Sequence, residues 1–330
     1  MILAVITTCK RAPAMVERAL KSVIAQTYTN WDCLVVDDSP AEYELRDEVR
    51  KMVEGYAAQD KRIHYLPLDR NYGAQRARNI ALEFAGKRGY EFIGYLDDDD
   101  EWLPEKLEKQ RKRFAECGEK TGVVCCKYYC IYDDENLMAV PDNSELHEGY
   151  VYDHLMASNF TGAIFPLARV KCLADVGGFD EEMVAHQDYD MWLRASRLYE
   201  FACINEPLGK LHRYDGDHIW SNMTKPIAGR KRLLSKNKEY FMTHKDAYCT
   251  HIKALVGMYM ANGQYTESFK EWLELVSLQP FKIIDNVKVF IRQFMIEPMK
   301  LILKRLCPAL FIKLRYMKHK LKGAIQIDTH

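Results

Sequence analysis

IHYLPLDRNYGAQRARNIALEFAGKRGYEFIGYLDDDDEWLP, residues 63–104, decides the fold class. It opens on a short apolar run, Ile63–Leu66, and passes through Ala74–Ala85, where apolar residues recur at helical spacing. It then returns to a second apolar run, Phe92–Leu96. Each run suits a strand buried on both faces. The pattern holds upstream, where Ile2–Thr7 and Cys33–Asp37 read as strands and Met15–Ala25 and Tyr43–Ala57 as helices. Such alternation predicts an α/β fold with a mostly parallel central sheet flanked by helices. Open sheets of this kind bind ligands beyond the carboxyl ends of their strands. Here those ends carry Thr7-Thr8, Asp37-Asp38 and Asp97–Asp100.

The segment YLDDDDEWLP, residues 95–104, sets four consecutive carboxylates directly after a buried strand. Their mutual repulsion grows as water is excluded. A bound cation relieves it, and hard carboxylate oxygens suit Mg2+ or Mn2+, which complete their shells with water or phosphate oxygens. An ion held there would bridge a diphosphate and stabilise the charge growing on it as it leaves. The plainer reading is a solvated acidic turn that also starts a helix at Pro104-Glu105.

Four segments, in order, resemble the family-2 inverting glycosyltransferases, which have the GT-A nucleotide-diphospho-sugar transferase fold. VITTCKR (5–11) with SVIAQTYTNWDCLVVDDSP (22–40) resembles the family's nucleotide-binding start, and RNYGAQRARNIAL (70–82) its next element. YLDDDDEWLP resembles its DxD metal motif, and GGFDEEMVAHQDYDMWLR (177–194) its catalytic-base segment. The resemblance extends over roughly residues 1–220. It implies transfer of a sugar from a nucleoside-diphosphate donor, a UDP-sugar favoured, to a glycan or lipid-linked oligosaccharide in surface polysaccharide biosynthesis. It also implies roles for individual residues. Thr7 and Asp38 would meet the nucleobase, Arg78 the nucleotide side of the pocket and Asp98 the ribose. Asp97 and Asp99 would hold Mn2+ or Mg2+. Asp188 would be the general base that takes the acceptor hydroxyl's proton, and direct attack opposite the leaving nucleotide would invert the anomeric carbon.

Two positions depart from the family's usual pattern. Thr7-Thr8-Cys9-Lys10 stands where Pro-Thr-Tyr-Asn is common, and Gln187 precedes Asp188 where Glu is common. A missing neighbouring carboxylate and a place at a helix start both act to lower the pKa of Asp188. Further on, LHRYDGDHIWSN (211–222) falls where the family has a loop that closes over the donor diphosphate. His212 and Arg213 are therefore candidates for phosphate contacts, and His218 for completing the metal shell. Trp192 either lines the acceptor pocket or belongs to the core. Asp190 and Arg194, spaced i, i+4, suit a helix ion pair.

These readings divide the chain into a catalytic domain, 1–224, and a helical extension, 225–330. The first comprises a nucleotide-binding half, 1–100, and an acceptor half, 101–224. Helices are expected at Gln187–Leu198, Ser235–Thr243, Thr250–Asn262 and Thr266–Leu278. LVGMYMANGQYTESFKEWLELVSLQP (255–280) resembles one tetratricopeptide hairpin, or is an ordinary helical hairpin, since one repeat cannot bury its own face. Between residues 282 and 322 lie eleven Lys or Arg residues, with only Asp285 and Glu297 opposing them. Apolar residues interleave with these bases at near-helical spacing, which suits an anionic membrane surface. The alternative is a docked helix with a solvated basic face.

Lys+Arg and Asp+Glu both number 47, so net charge gives no argument for nucleic-acid binding, and no nucleic-acid partner is expected. The 10 cysteines show no regular spacing and no zinc-ribbon pairing. They read as reduced thiols in a reducing compartment, hence a cytoplasmic protein, peripheral on the cytoplasmic face of the membrane. No segment approaches the ~18 uninterrupted apolar residues of a spanning helix. A sugar-phosphate nucleotidyltransferase would want a glycine-rich phosphate loop after the first strand, and TTCKRAPA has no glycine. A catalytically silent membrane-associated binding protein would have no use for Asp38, Asp97, Asp99 and Asp188 together.

Overall fold

The computed structural model describes residues 1–132, 137–138, 146–162, 165–213 and 223–296. The chain divides into two compact units, Met1–Asp217 and His218–His330. The first begins with strands β1 (Ile2–Thr8), β2 (Trp31–Asp37), β3 (Ile63–Pro67) and β4 (Phe92–Asp97), joined by helices α1 (Pro13–Ile24), α2 (Arg46–Gln59) and α3 (Ala74–Lys87). β1 is buried along its length except at Thr7. Pro13 opens α1, where its missing N–H costs nothing. Val16, Ala19, Leu20 and Val23 then form the stripe that α1 buries. The expected strands and helices of this half are present, with ends shifted by a few residues.

Parallel pairing of β1 with both β2 and β4 fixes the register that matters. Thr7 lies beside Val36 and Asp97, and Thr8 beside Asp37. The polar ends of three strands thus emerge at one edge of a core in which Ile2, Ala4, Val35, Phe92 and Leu96 are fully enclosed. Burying one such large apolar side chain stabilises the fold by roughly 1.5–3 kcal/mol.

Downstream come β5 (Glu101–Trp102), α4 (Lys106–Glu116), β6 (Thr121–Tyr132), β7 (Leu137–Met138) and α5 (Tyr152–Ala157). They are followed by β8 (Leu167–Arg169), α6 (Val170–Asp175), α7 (Gln187–Ser196) and β9 (Glu200–Arg213). The strand order is β3-β2-β1-β4-β8-β6-β9-β5, with β7 pairing with β6. The sheet is parallel from β3 to β4 and again between β6 and β9. It is antiparallel where β8 enters between β4 and β6, and where β5 and β7 join. The sheet is therefore mixed, with its parallel half where the strand–helix alternation was regular. One 14-residue strand, β9, runs far enough to place Lys210 beside Glu101.

A turn before α7 is bolted to α3. Gly178 has φ +67°, and a Cβ there would lie 2.5 Å from Asn79 Oδ1. Only glycine lets the backbone come this close, and Asn79 then exchanges two hydrogen bonds with Phe179, at 2.8 and 2.9 Å. Arg194 adds a bond to the Gly178 carbonyl at 2.7 Å while pairing with buried Asp190 at 2.8 Å. The expected i, i+4 pair thus also fastens the turn.

The second unit contains α8 (Thr224–Lys236), α9 (Lys238–Thr243), α10 (Lys245–Ala261), α11 (Tyr265–Leu278) and α12 (Ile283–Phe290), followed by a π-helical segment, Ile291–Ile296. Its core gathers Ile227, Ile252, Leu255, Tyr259 and Leu275. The expected helix at Ser235–Thr243 is instead the end of α8 followed by α9. Pro226 is tolerated in the first turn of α8, so that helix starts well upstream. α10 and α11 form a helical hairpin turned at Gly263, φ +74°. No described helix is long and apolar enough to cross a membrane. The nine described cysteines are free, six of them buried. His218 and the basic run beyond Ile296 lie outside the described residues.

Candidate active site

The acidic run after β4 is a turn in which each carboxylate has a different environment. Asp100 N–H donates to the Asp97 carbonyl at 3.2 Å, closing the turn. Asp97, with its side chain 37% exposed, takes a hydrogen bond from Arg78 Nη2 at 2.6 Å. Asp98 is buried and receives Arg11 Nε at 2.9 Å, while the other arm of the same guanidinium reaches Asp99 at 2.8 Å. Arg18, one helix face along on α1, donates to the Asp99 carbonyl. Asp100 is buried and accepts the His212 backbone N–H at 2.8 Å.

Burial pushes the Asp98 carboxyl up to about 7, aided by Asp99 and Asp97 and opposed by Arg11 and the Thr8 hydroxyl. Asp99 is raised for the same first reason, with Asp97 adding to it and Arg11 resisting. Asp100 is raised well above the carboxylate range by burial and by repulsion from Asp97 and Asp99. Glu101 goes the other way. Its carboxylate is lowered chiefly by its hydrogen bond to His212 Nε2, at 2.8 Å. The run is thus a charge cluster held together by Arg11, Arg18 and Arg78, rather than a solvated turn. Among the described residues no group of three or more His, Cys, Asp or Glu converges as a cation site.

On the next strand, Asp37 is fully buried and spent on structure, accepting Ser39 N–H and the Tyr65 hydroxyl at 2.9 and 2.6 Å. Asp38 takes the backbone N–H groups of Tyr72 and Gly73 at 2.7 and 2.8 Å, and the Asn71 amide at 3.2 Å. It therefore holds the loop leading into α3. Burial nonetheless raises its pKa against those two backbone bonds.

α3 carries Arg78, 4% exposed, from beneath this edge. Only Nη2 is engaged; Nε and Nη1 donate to no described residue. Arg78 also acts electrostatically on Asp188, so the guanidinium that bonds Asp97 also favours the ionised form of the carboxylate at the start of α7. That start is formed by His186 in the left-handed conformation, φ 59°. Asp188 follows, half-buried, with the Asn159 amide 3.3 Å from Oδ2. Its pKa is raised, because burial outweighs the Tyr189 backbone N–H, Arg78 and Asn159. This corrects the expectation of a lowered value. The helix start does act downward, but the carboxylate is too enclosed for that to prevail.

Trp192 is in the core rather than on an open pocket wall. It is 1% exposed, packs edge-on to Phe201, and spends its indole N–H on the Gly162 carbonyl at 2.8 Å. His212 clamps β5 to β9 through Asp100 and Glu101. Arg213 is placed only by its backbone, beside Tyr132. Arg11, Arg18 and Asn159 escaped notice in the sequence. Arg18 lies on α1 but Arg11 precedes it, so no helix-face spacing joins the two and no local pattern marks them. Nothing local marks Asn159.

The model of the family described as Glycosyl transferase family 2 matches residues 4–169. The chain belongs to that family. It is a glycosyltransferase, and Thr7, Asp38, Arg78 and Asp97–Asp99 lie within the matched stretch, whereas Asp188 lies beyond it. The putative colanic acid biosynthesis glycosyl transferase WcaA of Escherichia coli (strain K12) is 31% identical over 230 residues, covering 68% of this chain and 77% of that protein. The E. coli UDP-Glc:alpha-D-GlcNAc-diphosphoundecaprenol beta-1,3-glucosyltransferase WfgD is 37% identical over 109 residues, 33% of this chain and 39% of that one. S. aureus TarS 1–349, in complex with UDP-GlcNAc, superposes with a TM-score of 0.57 at 15% identity, covering 84% of this glycosyltransferase and 92% of TarS 1–349. The GT-A fold expected from the sequence is thus the fold observed.

The raised Asp98 carboxyl has a consequence for stability. Between its ordinary 3.8 and about 7 the folded state holds a proton that the unfolded chain has released. This contribution therefore favours the fold at low pH and is lost as pH rises through that window. Asp98→Asn, neutral throughout, should flatten the decline in urea stability measured from pH 5 to pH 8 without divalent ions. An unchanged slope would contradict the assignment.

Proposed function

We propose that this glycosyltransferase moves a sugar from a nucleoside-diphosphate donor, UDP-sugar favoured, to a glycan or lipid-linked oligosaccharide in surface polysaccharide biosynthesis, with inversion. The observation that carries the reading is the coupling of Asp97 and Asp188 through buried Arg78. The same guanidinium bonds Asp97, the donor-side carboxylate, and acts electrostatically on Asp188, the base candidate. The donor and acceptor classes are taken from relatives: WfgD is named for UDP-Glc and a diphosphoundecaprenol-linked sugar, and TarS is seen with UDP-GlcNAc.

Thr7 and Asp38 border the nucleobase end of this edge, and Asp98 and Arg78 the ribose and nucleotide side. The two unengaged nitrogens of Arg78 suit an anionic or carbonyl partner. Asp97 and Asp99 form the DxD pair for Mn2+ or Mg2+. Two hard carboxylates fit such an ion only if water and diphosphate oxygens fill the remaining positions, as Mg2+ prefers. When bound, the ion supplies neutralising charge for the departing diphosphate. Arg11 must then give up Asp99, and a freed Arg11 can turn to the phosphates. His212 and Arg213, at the end of β9, lead into the loop assigned to the diphosphate.

Asp188 takes the proton of the acceptor hydroxyl as that oxygen attacks the anomeric carbon. Its raised pKa makes it a better base than an open carboxylate, while Arg78 keeps it ionised. The bond to the new oxygen forms on the face opposite the breaking bond to the diphosphate, which gives inversion. Asp188→Asn should cut turnover by about 10²–10⁴-fold, the range of general-base contributions. UDP affinity should be unchanged by calorimetry; a fully active variant removes Asp188 from this role.

A lipid-linked acceptor calls for attachment to the membrane surface, peripheral and on the cytoplasmic face. Supporting this, α12 and the segment after it expose Val287, Ile291 and Ile296, with Lys288 and Arg292 also exposed. The basic run continues to Lys322. Apolar side chains among cations suit anionic headgroups. Deleting residues 297–330 should abolish flotation with phosphatidylglycerol-containing vesicles while leaving phosphatidylcholine vesicles unbound in both proteins. Undiminished flotation of the truncated protein would rule the anchor out.

A further inference from the structure

The segment between α5 and β8 touches α7 twice. From α7, Asp188 and Trp192 project on one face, four residues apart. Asp188 receives the Asn159 amide, and Trp192 donates to the Gly162 carbonyl. Between these contacts, Asn159 is itself held. Its Oδ1 accepts both the backbone N–H of Thr161 at 3.1 Å and the Thr161 hydroxyl at 2.7 Å. Thr161 is buried, so these bonds do not compete with bulk water.

That pair fixes which way the amide points. The Thr161 backbone N–H can only donate, so the atom facing it must be the amide oxygen. The NH2 group is then left on the far side, where Asp188 Oδ2 lies. A neutral amide in this position restrains a carboxylate without adding like charge, unlike a second acid.

We propose that Asn159 is a positioning residue for Asp188: locked by Thr161, it sets the orientation of the carboxylate that receives the acceptor proton. This rests on the reading of Asp188 as the base. The closed path from Asp188 through Asn159, Thr161 and Gly162 to Trp192 and back along α7 explains why a tryptophan beside the site is buried rather than lining it. Trp192 anchors the far end of the strap whose near end holds the carboxylate. Among the described residues, Arg78 on α3 acts on Asp188 from another element and favours its ionised form. Just before α7, the His186 ring turns edge-on to Tyr189, and on α7 Asp190 is paired with Arg194.

The test is direct titration of Asp188 in the full-length protein by carbon-13 NMR of labelled aspartate carboxyls. Its resonance is identified by its loss in Asp188→Asn. Asn159→Ala removes the donor and should raise the midpoint by about one to two pH units, the size expected for a hydrogen bond to a charged group. Asn159→Asp keeps the shape and the Thr161 acceptor but sets a like charge against Asp188, and should raise the midpoint further. In parallel, UDP release from UDP-glucose and UDP-GlcNAc should fall about tenfold in both variants, with donor KM unchanged. If Asn159→Ala fails to fold, Asn159→Asp carries the test. An unmoved midpoint overturns the contact, and a moved midpoint with wild-type UDP release overturns its role in catalysis. Should Asp188→Asn release UDP at the wild-type rate, the base reading itself fails, whatever the titration shows.

Discussion

Four carboxylates at the end of a buried strand must be compensated, and much of the first unit is arranged around doing so. Parallel register brings the ends of β1, β2 and β4 to one edge, so the charge cannot be spread along the sheet. Arg11 and Arg18 approach from the α1 side, Arg78 from α3, and β9 supplies the His212 backbone N–H. Three different connections therefore end on one acidic turn. Burial, with repulsion inside the run added to it, leaves the carboxyl pKa values raised, Asp98 at about 7 among them.

The dipeptide Arg78-Asn79 carries this constraint into the rest of the unit. Arg78 reaches forward to Asp97, while Asn79 reaches back to the Phe179 backbone. Neighbouring residues on one helix face different directions, so α3 serves both the strand end and the turn before α7. Gly178 permits the close approach that this requires. Asp188 thus takes its place relative to the acidic turn from α3 on one side and the Asn159 strap on the other.

The sequence made the parallel half legible because strands buried on both faces and amphipathic helices leave strong, regular patterns there. The acidic run was also legible, because four consecutive carboxylates after a buried strand are unusual, whereas Asp188 stood out only through the family resemblance, an Asp at a helix start being common. It was less informative where pairing is long-range. β8 is three residues long and antiparallel between β4 and β6, with no local signal for that place. The partners Arg11, Arg18 and Asn159 are ordinary surface-type residues until folding brings them to carboxylates distant in sequence. Trp192 was readable two ways because an aromatic residue on a helix near a site can face either side. Burial against Phe201 and the Gly162 carbonyl decides it. The lowered pKa expected of Asp188 failed for a related reason. A helix start is visible in sequence, whereas the depth of enclosure that opposes it is not.

The most direct test of the acidic turn as a cation–diphosphate site is thermal unfolding with UDP, with and without Mn2+, alongside GDP, TDP and CDP. Ligand at about 100 times its dissociation constant stabilises a fold by roughly 2.7 kcal/mol, which should raise the midpoint by a few degrees in a protein of this size. The account predicts a rise with UDP and Mn2+ together that neither gives alone. A folded sample whose midpoint is unmoved by any nucleotide with metal, or moved equally without it, would contradict it.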